Sequence, residues 1–263
     1  MIRYQDRHKS ARPGLWQALG WVMALALIAG CASQSADTRT LRLRGELADP
    51  GRSASDQARD AGRAPAAVMT FLGVADGMTV MDLIAAGGYY SEVLAIAVGP
   101  TGRVYAQNPA QVLRFRDGAN DKAMKARLVG NRLPNVVRWD REITNIGLPP
   151  ESLDVALTAL NFHDVYHGTA DKAAQFLGVV FSLLKPGGVL GVIDHVGNVG
   201  ADNAALHRVV PADIERAARA AGFVISARSE LLANTTDNHT SNVFAPEVRG
   251  QTDRVLYRFS RPE

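Results

Sequence analysis

Cysteine is almost absent from this chain of 263 residues, because Cys31 is the only one. A single thiol excludes an internal disulfide.

An excess of one charge is also lacking beyond the first 30 residues. The chain holds 29 Lys and Arg residues against 26 Asp and Glu residues, and 25 of each sign remain after residue 30. No basic field and no arginine–aromatic cluster remains, which argues against nucleic acid as a partner.

The apolar run at residues 15–29 falls short of the roughly 20 residues that a membrane-spanning helix needs. It follows a basic segment, residues 1–14, and it ends in the small residues Ala29 and Gly30 before Cys31. A basic start, a short apolar middle and small residues at the end predict a secretory signal.

Small residues directly before Cys31 resemble the lipobox of bacterial lipoproteins, so residues 1–31 are predicted to be a lipoprotein signal peptide. The resemblance implies that Cys31 carries lipid and anchors the chain to a membrane in the cell envelope, facing the periplasm. The residue after Cys31 is Ala32 and not an aspartate, a pattern that resembles lipoproteins sorted to the outer membrane. The alternative is a transmembrane anchor with an incidental cysteine.

Composition divides the rest of the chain in two. Residues 32–54 are polar, lack periodicity and contain Ser, Thr, Gly and Pro, which predicts a polar tether. Residues 55–263 suit one domain with a sizeable core.

The most informative segment of that domain combines an apolar run with glycines. Val80–Ile84, with Asp82 inside it, leads into Ala85–Gly88, and the amphipathic stretch Tyr89–Val98 and the apolar run Val104–Ala106 follow. This order predicts strand, glycine turn, helix and strand. Glycines let a backbone approach a ligand beside the positive end of a helix, so we expect a cofactor site at the carboxyl edge of the first strand.

The same patterns predict alternating elements over the rest of the domain. The helices are Ser55–Leu72 with a break at Pro65, Ala110–Leu128 with a break at Gly118, Ala170–Leu184 and Pro211–Ala221, and the strands are Asn135–Arg138, Leu153–Leu160, Val189–Ile193, Phe223–Ser229 and Asp253–Phe259. Such alternation predicts an α/β fold, with a doubly wound, mostly parallel sheet between two helical layers.

The ordered motifs resemble those of class I S-adenosylmethionine-dependent methyltransferases. They are the turn from Asp82 to Gly88, Gln107-Asn108 after strand two, Asp140 after strand three, Leu153-Asp154-Val155 in strand four and Lys185-Pro186-Gly187-Gly188 before strand five. More narrowly, GGYYSEVLA, VYAQN, NFHDVYH and GQTDRVLYRF resemble a bacterial group of predicted methyltransferases. The resemblance implies a Rossmann-like, seven-stranded sheet with an antiparallel last strand, and S-adenosylmethionine as cofactor.

The resemblance also implies which residues bind that cofactor. The glycine turn would contact its amino-acid end, Gln107 and Asn108 its ribose, and Asp140 its adenine. The complete expected set is Asp82, Ala85, Ala86, Gly87, Gly88, Tyr89, Gln107, Asn108, Asp140 and Asn161. Two departures from the family pattern stand out. Ile84, Ala85 and Ala86 occupy a stretch where glycines are usual, and Gln107-Asn108 replaces the usual acid, so charge-assisted bonds to the ribose are not available.

Candidate chemistry lies after strands four and five. His163 and Asp164 follow one strand, and Asp194 and His195 follow the next. A histidine titrates near neutrality and can remove a proton from a methyl acceptor, so the expected catalytic residues are His163, Asp164 and His195. Asn161 and Asp164 have the alternative role of capping the following helix.

Other polar residues add less to the predicted site. His207 and the segment 237–239 are expected on loops that could close over a substrate or simply face solvent. His163, Asp164, Asp194 and His195 are ordinary metal-ligand types but lack a local ligand spacing, so no metal is predicted.

Three functions compete. The first is methyl transfer from S-adenosylmethionine to a small molecule, since the segment Asn161–Asp164 lacks the Asn/Asp-Pro-Pro-Tyr pattern of many nucleobase and amide methylators. The second is a catalytically inactive, lipid-anchored binding module, because the predicted leader sends the domain away from the cytoplasm, where the cofactor is made. The third, a nicotinamide oxidoreductase, is disfavoured because Gly-x-Gly-x-x-Gly is absent after strand one.

Overall fold

A computed structural model describes residues 36–263 of the chain. The predicted signal peptide, Cys31 and the start of the predicted tether lie outside the described residues. Within residues 36–263, no helix has both the length and the apolar character that crossing a membrane requires.

Residues 36–263 form nine α-helices and seven strands. The helices are α1 (residues 36–47), α2 (Ala54–Arg63), α3 (Pro65–Leu72), α4 (Tyr89–Val98), α5 (Ala110–Leu128), α6 (Phe162–Gly168), α7 (Ala170–Leu183), α8 (Asn203–Leu206) and α9 (Pro211–Ala220). The strands are β1 (Thr79–Leu83), β2 (Arg103–Gln107), β3 (Val136–Trp139), β4 (Leu153–Ala159), β5 (Leu184–His195), β6 (Val224–Ser229) and β7 (Arg254–Ser260).

The strands form one sheet in the order β3-β2-β1-β4-β5-β7-β6. Strands β1 to β5 run parallel to one another, whereas β7 is antiparallel to both β5 and β6. The predicted doubly wound α/β fold with an antiparallel last strand is therefore confirmed. Because β1 lies between β2 and β4, the chain reverses its direction of travel across the sheet there, and this is the position where ligands bind in open α/β sheets.

The sheet separates two apolar layers. Val80 packs with α1, α3 and α4 on one face, while its neighbour Met81 packs with α6, α7 and α9 on the other. This alternation follows from the two-residue repeat of a strand that is covered on both faces. Helix α5 is bent, since Phe115–Gly118 have non-helical backbone angles, and the predicted break at Gly118 is confirmed.

The structure corrects the predicted polar tether over residues 36–47, which form α1. Leu43 and Leu47 are buried, and Thr40 Oγ1 donates to Thr70 Oγ1 of α3 at 2.9 Å. Two leucines four residues apart lie on the same side of a helix, so a segment of polar composition still docks on the core. The folded domain therefore extends before the expected boundary at residue 55.

Helix α1 should contribute to the stability of the domain. We expect Leu43→Ala to lower the free energy of unfolding by about 2–5 kcal/mol, because the leucine is 1% exposed and its removal leaves a cavity. Leu41→Ala is the matched control, since Leu41 is 65% exposed and should cost under about 0.5 kcal/mol. Urea unfolding measures both, and equal effects of the two substitutions would show that α1 does not dock.

Candidate functional site

The turn between β1 and α4 has an unusual backbone. Ile84 and Ala86 have φ angles of 54° and 50°, and Gly88 has a φ of 83°. The left-handed conformation costs an L-residue roughly 1–2 kcal/mol, and a β-branched residue such as isoleucine rarely adopts it. The turn therefore keeps a conformation suited to glycine although two of its residues are not glycine.

Two amide side chains from the end of β2 hold this turn. Gln107 Oε1 accepts from the Ile84 N–H at 2.9 Å, and the Gln107 carbonyl accepts from the Ala85 N–H at 2.8 Å. Asn108 makes a reciprocal pair with Ala86, accepting from its N–H at 2.8 Å and donating Nδ2 to its carbonyl at 3.1 Å. Both side chains are fully buried. Their bonds fix the positive φ angles, because the backbone cannot relax without losing them.

A third amide holds the turn from β4. Asn161 Nδ2 lies 3.2 Å from the carbonyl oxygens of Leu83 and Ile84, and its Oδ1 accepts from Thr158 Oγ1 at 2.5 Å. The side chain makes no capping bond to α6, so the alternative role as a helix cap is not realised. Asn161 thus ties the end of β1 to the end of β4.

Helix α5 supports the turn from the other side. Arg127 Nε donates to the Gly87 carbonyl at 2.8 Å. A side chain at Gly87 would lie 3.0 Å from Ala123 Cβ, and one at Gly88 would lie 2.9 Å from Met124 Cε. The absence of side chains at the two glycines therefore makes room for α5.

Several residues expected to bind a cofactor make hydrogen bonds within the protein. Gln107 and Asn108 use their amides on the turn, so in this conformation they are not free for a ribose. Asp82 is buried and accepts from Ser91 Oγ at 2.6 Å. Tyr89 is buried, and its hydroxyl donates to Asp60 Oδ1 at 2.6 Å. These contacts, like the bonds from Asn161 to the end of β1, are structural, and sequence patterns do not reveal them because the partners lie in different helices and strands.

Part of the turn remains accessible. Residues 84–87 are half-buried, and so are Asn161 and His195 at the ends of the neighbouring strands. Asp140 lies after β3 with a side chain 38% exposed, and it pairs with Arg138 at 2.7 Å. The carboxyl edge of the sheet thus presents backbone, amide, imidazole and carboxylate groups together.

A buried histidine–carboxylate pair lies at this edge. His163 Nδ1 is 2.7 Å from Asp194 Oδ1, and the His163 backbone N–H donates to Asp194 Oδ2 at 2.7 Å. Burial acts to lower the pKa of His163, but the Asp194 carboxylate outweighs it and raises that pKa above its usual value. Because the carboxylate only accepts, Nδ1 carries the proton and Nε2 faces away from Asp194.

His195 differs from His163 in the direction of its pKa shift and in its partner. Its Nδ1 is 2.7 Å from Thr252 Oγ1, and its ring centroid is 5.9 Å from that of His163. Burial lowers the pKa of His195 to about 3, so the ring is neutral at ordinary pH. The expected catalytic residues His163 and His195 are thus neighbours, and only His163 is held by a carboxylate side chain.

Asp164 and His207 lie beside His163 on the side of the ring that faces away from Asp194. Asp164 Oδ1 is 3.5 Å from His163 Nε2 and 3.2 Å from His207 Nδ1. The ring of His207 also packs against that of Phe244, with 4.9 Å between centroids. His239 is not part of this group, since its Nε2 pairs with Asp253 at 2.9 Å. The sequence predicts His207 only on a loop, because no local pattern indicates that this loop returns to α6.

Comparisons with known proteins identify the fold. A SAM-dependent methyltransferase from Aquifex aeolicus superposes with a TM-score of 0.58 at 19% identity, over 84% of this chain and 98% of that one. A putative methyltransferase from Bacillus halodurans gives 0.53 at 16% identity, over 76% and 100%. The [4+2]-cyclase SpnF gives 0.57 at 16% identity, over 82% and 85%. No protein-family model and no curated protein matches the sequence.

The strain in the turn can be measured with two neighbouring alanines. Ala86→Gly should raise the free energy of unfolding by up to about 1 kcal/mol, because glycine adopts the left-handed conformation freely. Ala85→Gly, whose φ is not positive, should lower it by about 0.5–1 kcal/mol through the entropy of the unfolded chain. Urea unfolding distinguishes the two, and a loss of stability in both variants would argue against strain at Ala86.

Burial of Asp82 should make stability depend on pH. Burial raises its pKa from 3.8 to about 7, although the hydrogen bond from Ser91 acts in the opposite direction. Between these values the folded state holds a proton that the unfolded chain has lost, so the free energy of unfolding falls as the pH rises through this window.

Asp82→Asn removes this titration and keeps an acceptor for Ser91. We expect the decline in the urea midpoint between pH 5 and pH 8 to be smaller in the variant than in the natural chain. The difference between the two proteins isolates Asp82 from the other titrating groups. Identical pH profiles would mean that Asp82 does not hold a proton in the folded state.

Proposed function

We propose that this chain is a S-adenosylmethionine-dependent methyltransferase that acts on a small molecule. The observation that carries the proposal is the turn after β1. Its backbone is held in a costly conformation by Gln107, Asn108 and Asn161, and it stays half-buried at the carboxyl edge. Strain that the surrounding structure maintains is concentrated at ligand sites. The fold is shared with SAM-dependent methyltransferases, and ligands of open α/β sheets bind at this carboxyl edge.

The residues at this edge fit S-adenosylmethionine in part. Four of the turn's backbone N–H groups donate within the protein, those of Ile84, Ala85, Ala86 and Gly88. The Gly87 N–H is the one left to bind a ligand. Asp140 is accessible and can accept from the adenine amino group. The amides after β2 do not fit the ribose role in this conformation. When bound, S-adenosylmethionine supplies an electrophilic methyl group on a sulfonium sulfur.

His163 is the residue best suited to act on the methyl acceptor. Asp194 fixes its ring and its tautomer, so the lone pair is on Nε2, which faces away from Asp194 and lies beside the exposed side chain of Asp164. That lone pair can remove a proton from the acceptor directly, or it can bind a cation that holds the acceptor. The neighbouring ring of His195 is neutral, so it adds no charge beside His163. The lipid at Cys31 expected from the sequence would hold this site at a membrane surface.

A second candidate is a binding module that keeps the fold without catalysis. It is favoured by the engagement of Gln107 and Asn108, which leaves no side chain after β2 for a ribose. In this case the turn is a structural support for α5. The two functions differ in whether the cofactor binds at all.

Calorimetry with S-adenosylhomocysteine tests the proposal on the full-length protein in detergent. We expect binding of about one equivalent and a rise in the unfolding temperature, because a ligand that binds only the folded state stabilises it. Asp140→Ala should weaken the affinity at least tenfold by removing the adenine contact.

Asp76→Ala is the matched control, since Asp76 precedes β1 and lies at the opposite edge of the sheet. Its affinity should equal that of the natural chain. No heat and no thermal shift with the natural chain would reject methyl transfer and support the binding module.

A further inference from the structure

We propose that His163, Asp164 and His207 bind a divalent transition-metal cation of the zinc class. The three side chains come from the start of α6 and from the residue that follows α8. Their ligand atoms all lie within 4.8 Å of one another. The cation binding needs neither S-adenosylmethionine nor a methyl acceptor, so it stands apart from the proposed function.

Two of the three distances between ligand atoms are close to those around a small tetrahedral ion. Zinc bonds to histidine nitrogen and carboxylate oxygen are about 2.0–2.2 Å, which places neighbouring ligand atoms roughly 3.3–3.4 Å apart in a tetrahedron. The observed separations are 3.5 Å from His163 Nε2 to Asp164 Oδ1 and 3.2 Å from Asp164 Oδ1 to His207 Nδ1.

His207 Nδ1 and Asp164 Oδ1 are within hydrogen-bond distance at 3.2 Å, but a direct contact explains the separation of His163 Nε2 and Asp164 less well than a shared ion. A nitrogen and a carboxylate oxygen in a charge-assisted hydrogen bond lie about 2.7–2.9 Å apart. The His163 Nε2 to Asp164 distance of 3.5 Å exceeds that range, although the nearby His163 Nδ1 to Asp194 bond of 2.7 Å falls within it. The same histidine therefore makes a close hydrogen bond on one side and leaves an ion-sized gap on the other.

Asp194 prepares His163 as a ligand. Its Oδ1 accepts from His163 Nδ1 and from the His195 N–H, and its Oδ2 accepts from the His163 N–H. Metal-binding histidines commonly donate their second nitrogen to a carboxylate, which fixes the ring and strengthens the ligand. Both oxygens of Asp194 are engaged, so it supports the site and is not itself a ligand.

The donor set selects the class of ion and leaves a position open. Two imidazoles and one carboxylate suit Zn²⁺, Co²⁺ or Fe²⁺ better than Mg²⁺ or Ca²⁺, which prefer oxygen ligands. Three protein ligands leave one position of a tetrahedral ion free, and the Asp164 side chain is 62% exposed, so this position is reachable. If the proposed methyl transfer holds, an oxygen of the acceptor would bind there, which makes hydroxylated acceptors the substrate class.

Cobalt(II) titration of the untagged, full-length natural chain tests the site, because four-coordinate cobalt absorbs visible light. We expect saturation at one equivalent, and displacement of cobalt by one equivalent of zinc. Asp164→Ala and His207→Asn should each weaken binding at least tenfold. Asparagine tolerates the left-handed backbone at His207, where φ is 54°, so the second variant should keep its fold.

His167→Ala is the matched control, because His167 is also on α6 but its Nε2 contacts the Arg208 carbonyl at 2.9 Å. It should bind cobalt as the natural chain does. No saturable binding at micromolar cobalt, or equal binding by the natural chain and the His207→Asn variant, would overturn the site. Binding of S-adenosylhomocysteine is measured without metal, so failure of either proposal is visible by itself.

Discussion

Three side-chain amides hold the backbone between β1 and α4, and the arrangement of the candidate site depends on them. Gln107 and Asn108 approach from β2 and Asn161 approaches from β4, so the turn is tied to both neighbouring strands. Their hydrogen bonds offset the cost of left-handed conformations at Ile84 and Ala86. Neutral hydrogen bonds contribute roughly 0.5–1.5 kcal/mol each, so several of them are enough to maintain two strained residues.

This support has a consequence for ligand binding. In the motif that the sequence resembles, side chains after strand two serve the ligand and glycines shape the turn. Here Asn108 serves the turn instead, and Ala86 adopts the conformation that glycine would adopt. The turn stays accessible on the side of Asn161 and His195, so a ligand would rest on backbone that the amides have fixed in advance. Fixed donors lower the entropy lost on binding.

The histidine–carboxylate group is the second part of the site, and its position follows from strand order. Strands β4 and β5 are parallel neighbours, so the residues at their carboxyl ends meet at one edge, and Asp194 at the end of β5 reaches His163. The same edge holds the turn, because β1 pairs with β4. A donor bound at the turn and an acceptor bound near His163 would therefore lie side by side, as transfer of a group between them requires.

The sequence predicts the fold well and the site only in part. Apolar periodicity and glycines locate β1, α4 and β4, and the ordered motifs indicate the antiparallel β7. Helix α1 escapes prediction because it rests on only two buried leucines in a polar segment. The roles of Gln107 and Asn108 escape it because their partners in the turn precede them by a whole helix and strand. His207 joins His163 through a loop path that no local pattern encodes.

A crystal structure of the protein with S-adenosylhomocysteine tests the proposed cofactor site at the β1 turn most directly. We expect a ligand atom within hydrogen-bond distance of the Gly87 N–H, with Ile84 and Ala86 still at positive φ and Asn108 still paired to the turn. A ligand bound away from the β1 turn, or a turn whose alanine and isoleucine have relaxed to negative φ, would contradict it.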